Sequence, residues 1–285
     1  MKNIVLILLV FFSFNILAQN KEPFKIYKDS TISSYDAILT ACKDADFVFF
    51  GEDHDNPIAH WLEYELLTDL YQVKKEELIV GAEMFEADNQ LILNEYLEDK
   101  IDDKKFQEEA RLWPNYKTDY KPLIKFCKDS SVQFVATNIP RRYASMVAKK
   151  GFEILDSLSS EAKSYIARLP INYNDSVGCY KEMLVDMDKE HATPNIAKAQ
   201  AIKDATMAYF ILKNYKKGNL FLHFNGSFHS DKHDGIIRYL QAEKKKVKVI
   251  VITTVSQDDI SKLEDDNKNS GDFIICVTEN MTRTY

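Results

Sequence analysis

Two short stretches carry the same spacing of glycine and histidine directly after an apolar run: "GEDH", Gly51 to His54, and "GSFH", Gly226 to His229. A third apolar run, "IVGAEMF", contains Glu83, and a fourth ends in "ATNIPRR", with Asn138 and Arg141. Imidazole and carboxylate groups are ligands for a divalent metal, so His54, Glu83 and His229, with Glu52 beside them, form one candidate metal set. The same groups suit acid–base work, with a glutamate acting as general base on a metal-bound water. Arg141 offers a planar guanidinium that neutralises an anionic ligand. Each feature has a plainer reading. A single G-x-x-H arises by chance, and Asp55 suits the N-cap of a helix starting near Pro57. Glu83 is harder to dismiss, because a carboxylate inside an apolar segment must be paired or shifted in pKa.

Six segments read as strands that would position these groups: "DFVFFGEDH", "ELIVGAEMF", "VQFVATNIP", "NLFLHFNGSFH", "KVKVIVITTV" and "DFIICVT". They are apolar without alternation, as in strands covered on both faces. Helical patterns separate them, over roughly 57–73, 88–98, 119–129, 141–150, 195–216 and 231–242. Strands alternating with helices predict an α/β fold, a mostly parallel central sheet flanked by helices. The stretch 152–215 shows no clear strand and reads as a helical insertion or cap. The polar residues fall at the carboxyl ends of four strands, where open parallel sheets bind ligands. The glycines are expected to turn the chain sharply there.

The chain has 285 residues and a net charge of -7, which argues against a nucleic-acid partner. "KKKVKV" at 244–249 is a solvated helix end running into a strand. The first residues, "MKNIVLILLVFFSFNILAQNKEP", combine Lys2, an apolar core and a small-residue site, the pattern of a signal peptide (residues 1–18) cleaved near Ala18. An exported protein, periplasmic or extracellular, is expected, with one domain over 19–285. No cysteine follows the apolar run to carry a lipid. The four cysteines, Cys42, Cys127, Cys179 and Cys276, show no paired framework and no CxxC.

Taken in order, "FGEDHDN", "GAEMFEADNQ..LNEYL", "ATNIPRRYASMVAKKG", "AIKDATMA" and "GSFHSDKHDGI" resemble the ChaN-like haem-binding uptake family of the Tiki/TraB superfamily. The likeness covers about residues 40 to 250. It implies an α/β fold, haem as cofactor, a role in iron acquisition and an outer-membrane uptake receptor as partner; a homodimer is compatible with it. It also implies kinship with metal-dependent proteases and hydrolases. On that matching the central constellation is Glu52, His54, Glu83, Asn138, Arg141, Asp204 and His229. Asp204 lies in "QAIKDATMAYF", a helix whose alanines allow close approach to the sheet. His223 and His233 depart from the pattern.

Two functions of different class follow. A haem-binding protein needs an axial His, Met, Cys or Tyr in an apolar pocket. Candidates are Tyr116 and Tyr120 in "RLWPNYKTDYKP", and Met183, Met187 and His191, which share one helical face; all of these are equally at home in a core. A metal-dependent hydrolase would instead use the Glu/His cluster. No serine nucleophile is evident, since Ser227 in "NGSFH" lacks the G-x-S-x-G elbow.

Overall fold

The computed structural model describes residues 22–186 and 195–285. The expected signal peptide, Met187 and His191 lie outside the described residues. All six expected strands form. They are β3 (Phe47–Glu52), β4 (Leu78–Glu86), β5 (Gln133–Asn138), β6 (Leu220–Gly226), β7 (Val249–Gln257) and β8 (Phe273–Thr278). Two strands not read from the sequence, β1 (Phe24–Lys28) and β2 (Thr31–Ile32), complete a sheet of order β2-β1-β8-β7-β3-β6-β4-β5. β3 to β8 pair in parallel, and β1 joins β8 and β2 antiparallel. β2 is a two-residue edge strand and β1, beside it, is only partly buried, which is why they lack the apolar run of a strand buried on both faces.

Alternate residues of each strand enter opposite layers. Val48 and Phe50 pack with α1 (Tyr35–Lys43), α2 (Pro57–Lys74) and α5 (Lys121–Asp129). Phe47 and Phe49 pack with α9 (Asn195–Asn214) and α10 (Ile236–Glu243) on the other face. Burial on both sides removes the polar alternation that a one-sided sheet would show. α3 (Gln90–Leu97) and α4 (Asp103–Glu109) precede α5, and α6 (Arg141–Lys150), α7 (Ser160–Lys163) and α8 (Gly178–Asp186) precede α9.

β6 inserts between β3 and β4, with Gly51 opposite Asn225 and Ala82 opposite Phe224. The helix leaving β3 covers one face and the helix leaving β6 covers the other, which opens a crevice at their carboxyl ends. The stretch expected as an insertion divides in two. Short helices and an irregular stretch, 164–177, make up 152–186, whereas α9 covers the sheet itself, burying Met207, Ala208 and Ile211 against Phe49 and Phe221. Asn56, not Asp55, caps α2: its Oδ1 accepts from the amides of Ile58 and Ala59 at 3.0 and 3.2 Å. The four cysteines are buried and unpaired. Among the described residues, no helix is long and apolar enough to cross a membrane.

Candidate functional site

The two glycines of the G-x-x-H stretches lie inside β3 and β6 and do not turn the chain; neither has a positive φ. Their role is close approach. A Cβ on Gly51 would sit 2.8 Å from Ser227 Cα, and one on Gly226 would sit 2.7 Å from His54 Nε2. Two bare backbones let the strand ends meet, so His54 can lie over β6.

The side chains then divide by the face of the sheet from which they point. On the α9 face, Glu83 Oε1 is 3.0 Å from His229 Nε2, and Glu83 Oε2 accepts the Gly226 amide at 2.9 Å. His229 Nδ1 bonds Asp204, whose other oxygen accepts the Tyr180 hydroxyl at 2.7 Å. Gln200 lies against the same ring. This is a buried carboxylate–imidazole–carboxylate chain running from α9 to β4. Burial works against charge on His229, yet the charges of Glu83 and Asp204 overcome it and raise its pKa to about 9. Burial also opposes the Glu83 charge, but His229 outweighs it and holds the carboxyl well below the usual range. Asp204 is pushed up by burial despite His229.

On the α2 face, Glu52 Oε1 receives His54 Nδ1 at 2.6 Å and the Tyr120 hydroxyl at 2.7 Å. His60 Nδ1 lies 3.2 Å from both Glu52 Oε2 and Glu63 Oε2. Burial disfavours the Glu52 carboxylate, but its bonds to His54 and His60 more than compensate and keep it ionised well below the usual range. Glu63 goes the other way, raised by burial and by the Glu52 charge. His54 joins the two halves. Its Nδ1 is tied to Glu52, its ring packs edge-on at 4.8 Å from Trp113, and its Nε2 has no hydrogen-bond partner among the described residues.

The constellation expected from the sequence therefore comes together: Glu52, His54, Glu83, Asn138, Arg141 and His229 all line one crevice of about 1310 Å³, with Asp204 directly behind His229. Asn138 Oδ1 is buried without a partner, and Arg141 makes no ion pair among the described residues. The expected metal trio does not gather. Among the described residues, the set with ligand atoms within 4.8 Å of one another is Glu52, His60 and Glu63, not His54, Glu83 and His229. The sequence reading passed over His60 and Glu63. Their one signal in sequence is an i, i+3 spacing at the start of α2, just after "GEDH", a spacing common on any helix.

The aromatic candidates are placed elsewhere. Tyr116 packs against Phe85 and Phe106 and is 3% exposed; Tyr120 is 1% exposed, with its hydroxyl spent on Glu52. Neither lines the crevice, because their segment turns inward under α2. Met183 does line it.

Leu112, Trp113, Ile139 and Phe228 supply apolar wall, and Arg111, Arg141, Arg142 and Lys203 bring positive charge beside the carboxylates of Asp53 and Glu86. His54 presents an oriented imidazole to it, held from behind by a carboxylate as metal-bound histidines usually are.

Residues 38–240 match the family described as haem-binding uptake, Tiki superfamily, ChaN. Among solved structures, the chain is similar to ChaN of Campylobacter jejuni, a structure described as showing cofacial haem binding. The TM-score is 0.66 and the identity 17%, over 90% of this chain and 97% of that one. It is also similar to an erythromycin esterase, EreC, at TM-score 0.50 and 10% identity, over 90% of this chain and 83% of that chain. Among curated proteins it matches the chloroplastic RETICULATA-RELATED 5 protein of Arabidopsis thaliana, 27% identical over 150 residues. That match spans half of this chain and 20% of the plant protein.

Proposed function

Given that the chain belongs to the ChaN haem-binding uptake family of the Tiki superfamily, we propose that it is an exported protein that binds haem in the crevice and serves iron acquisition. The observation that carries the reading is His54: an imidazole held by Glu52 at 2.6 Å, with Nε2 unpartnered among the described residues, in a crevice lined by both apolar side chains and arginines. His54 would hold the haem iron, and Met183 and Tyr285 line the same space. Trp113 and Phe228 would flank the macrocycle, and Arg141 would take a propionate. When bound, haem supplies a redox-active iron; the chain's own residues orient it and shield it from water.

Hemin titration of the purified protein, followed by absorbance, tests this. A saturable Soret shift at stoichiometric hemin that is lost or moved in His54→Ala supports it. No shift, or a shift unchanged in His54→Ala and absent in Tyr120→Phe, sinks the crevice site.

A second reading has its own observation. The Glu83–His229–Asp204 chain sits at the crevice floor, and haem storage has no need of it. In a hydrolase, ionised Glu83 would hold an attacking water by accepting its hydrogen bond, while His229, a cation between two carboxylates, stabilises developing negative charge. The fold is shared with an esterase. Esterase activity abolished by Glu83→Gln, with hemin binding intact, would favour it.

A further inference from the structure

Behind the crevice, on the α2 side of the sheet, lies a second polar cluster, of which the haem reading uses only Glu52 Oε1 and the hydrolase reading nothing. The geometry points to a divalent-cation site formed by Glu52 Oε2, His60 Nδ1 and a carboxylate oxygen of Glu63, with a first-row transition metal as occupant. The inference does not depend on haem binding.

The hydrogens decide it first. His60 Nε2 lies 3.1 Å from the carbonyl oxygen of His54 and 3.5 Å from Asp119 Oδ2, both acceptors, so Nε2 carries a proton. In the neutral ring Nδ1 then presents a lone pair. That lone pair faces Glu52 Oε2 and Glu63 Oε2, each at 3.2 Å. Three acceptors converge with no donor between them. Protonating Nδ1 supplies one N–H for two carboxylates, which is still too few. Glu52 Oε2 and Glu63 Oε1 are buried without a hydrogen-bond partner, and a buried carboxylate oxygen left in that state is costly.

Charge points the same way. Glu52, Glu63 and Asp119 are 1%, 0% and 4% exposed. Among the described residues no lysine or arginine pairs with any of them; Asp119 is met by Asn115 and Thr284 instead. A positive charge between the carboxylates resolves both shortages at once.

The surroundings are already arranged as a metal's outer shell. Metal-bound imidazoles donate their second N–H to a carbonyl or carboxylate, and ligating carboxylates are themselves hydrogen-bonded. Here Nε2 meets a carbonyl, and Glu52 Oε1 takes Tyr120 and His54, leaving Oε2 for the cation. His60 and Glu63 are three apart on α2, so they project from one face. One imidazole with two carboxylates suits zinc, manganese, iron(II) or cobalt(II), and disfavours calcium and magnesium, which take oxygen alone. The cation would also act on the crevice, because the carboxylate it binds is the one that orients His54.

The rival occupant is a proton shared between Glu52 and Glu63, and cobalt(II) separates the two. Chelator-stripped, haem-free protein is titrated with Co²⁺ by calorimetry and visible absorbance, then crystallised and its anomalous scattering recorded at the cobalt edge. Expected are one saturable equivalent, a single anomalous peak among Glu52, His60 and Glu63, and affinity about 100-fold weaker in Glu63→Gln but unchanged in Glu83→Gln. No saturable binding, or a peak beside Glu83 and His229, overturns the site. So does a Glu63→Gln protein that is as stable as wild type when both are metal-free and is stabilised equally by Co²⁺. Should Glu63→Gln fail to fold, the wild-type anomalous map decides alone. Hemin titrations of the same preparations report separately on the crevice.

Discussion

His229 is the residue on which most of the site's electrostatics turn. Its pKa is raised from the ordinary 6.5 to about 9 by Glu83 and Asp204. A group raised on folding contributes stability that is complete below its unfolded pKa and is lost as pH rises through the folded value. Its contribution should therefore be full below pH 6.5 and fade by about pH 9, up to about 3 kcal/mol for a shift of this size. Urea unfolding at pH 6, 8 and 9.5 measures it: wild type should weaken across that window, and His229→Gln should weaken less. Glu52 and Glu83 are shifted down, so their contribution is present above the ordinary carboxylate pKa and lost in acid. Equal slopes for the two proteins between pH 6.5 and 9 would show that His229 is not the cation drawn here.

At the scale of elements, the site depends on how two strand ends approach and how one helix starts. Gly226→Ala places a methyl 2.7 Å from His54 Nε2, a separation that a real contact does not reach, so the ring must swing off Glu52. Thermal unfolding should show a loss of about 1–3 kcal/mol, the usual cost of overpacking, and hemin affinity should fall at least about tenfold, the equivalent of 1.4 kcal/mol. An alanine variant that binds hemin normally would remove His54 from the site. Asn56 caps α2 through two amides. Asn56→Ala should cost about 1 kcal/mol in urea titration. Because α2 also carries His60 and Glu63, this variant should weaken Co²⁺ binding more than hemin binding.

For the molecule as a whole, ligand binding and stability are linked. Hemin at about 100 times its Kd should add about 2.7 kcal/mol to unfolding free energy. The chain carries a net charge of -7, yet the crevice gathers Arg111, Arg141, Arg142 and Lys203. Arg111 and Arg142 are already paired with Glu86 and Asp88, whereas Arg141 is unpaired among the described residues. Arg141→Gln should therefore weaken hemin binding more than Arg142→Gln, and raising salt should narrow the difference by screening an exposed charge. Equal effects of the two substitutions, read from absorbance titrations at low and high salt, would place the propionates elsewhere.

Much of this protein could be read along the chain. Six buried strands announce themselves because covering both faces makes each an unbroken apolar run, and the doubled G-x-x-H with Glu83 marks the edge where polar side chains collect. The short strands β1 and β2 at one end of the sheet escaped notice because half-exposed strands lack such runs. What only folding decides is which face each side chain takes. Glu52 and Glu83 look equivalent in sequence, yet strand parity sends one toward α2 and the other toward α9. That parity draws His60 and Glu63 to Glu52, sets Asp204 behind His229, and turns Tyr116 and Tyr120 into the core. Linear spacing encodes neighbours on one helix or strand; contacts between Glu52 and Tyr120, or Glu83 and Gly226, join residues 68 and 143 apart in the chain and exist only once the sheet has assembled.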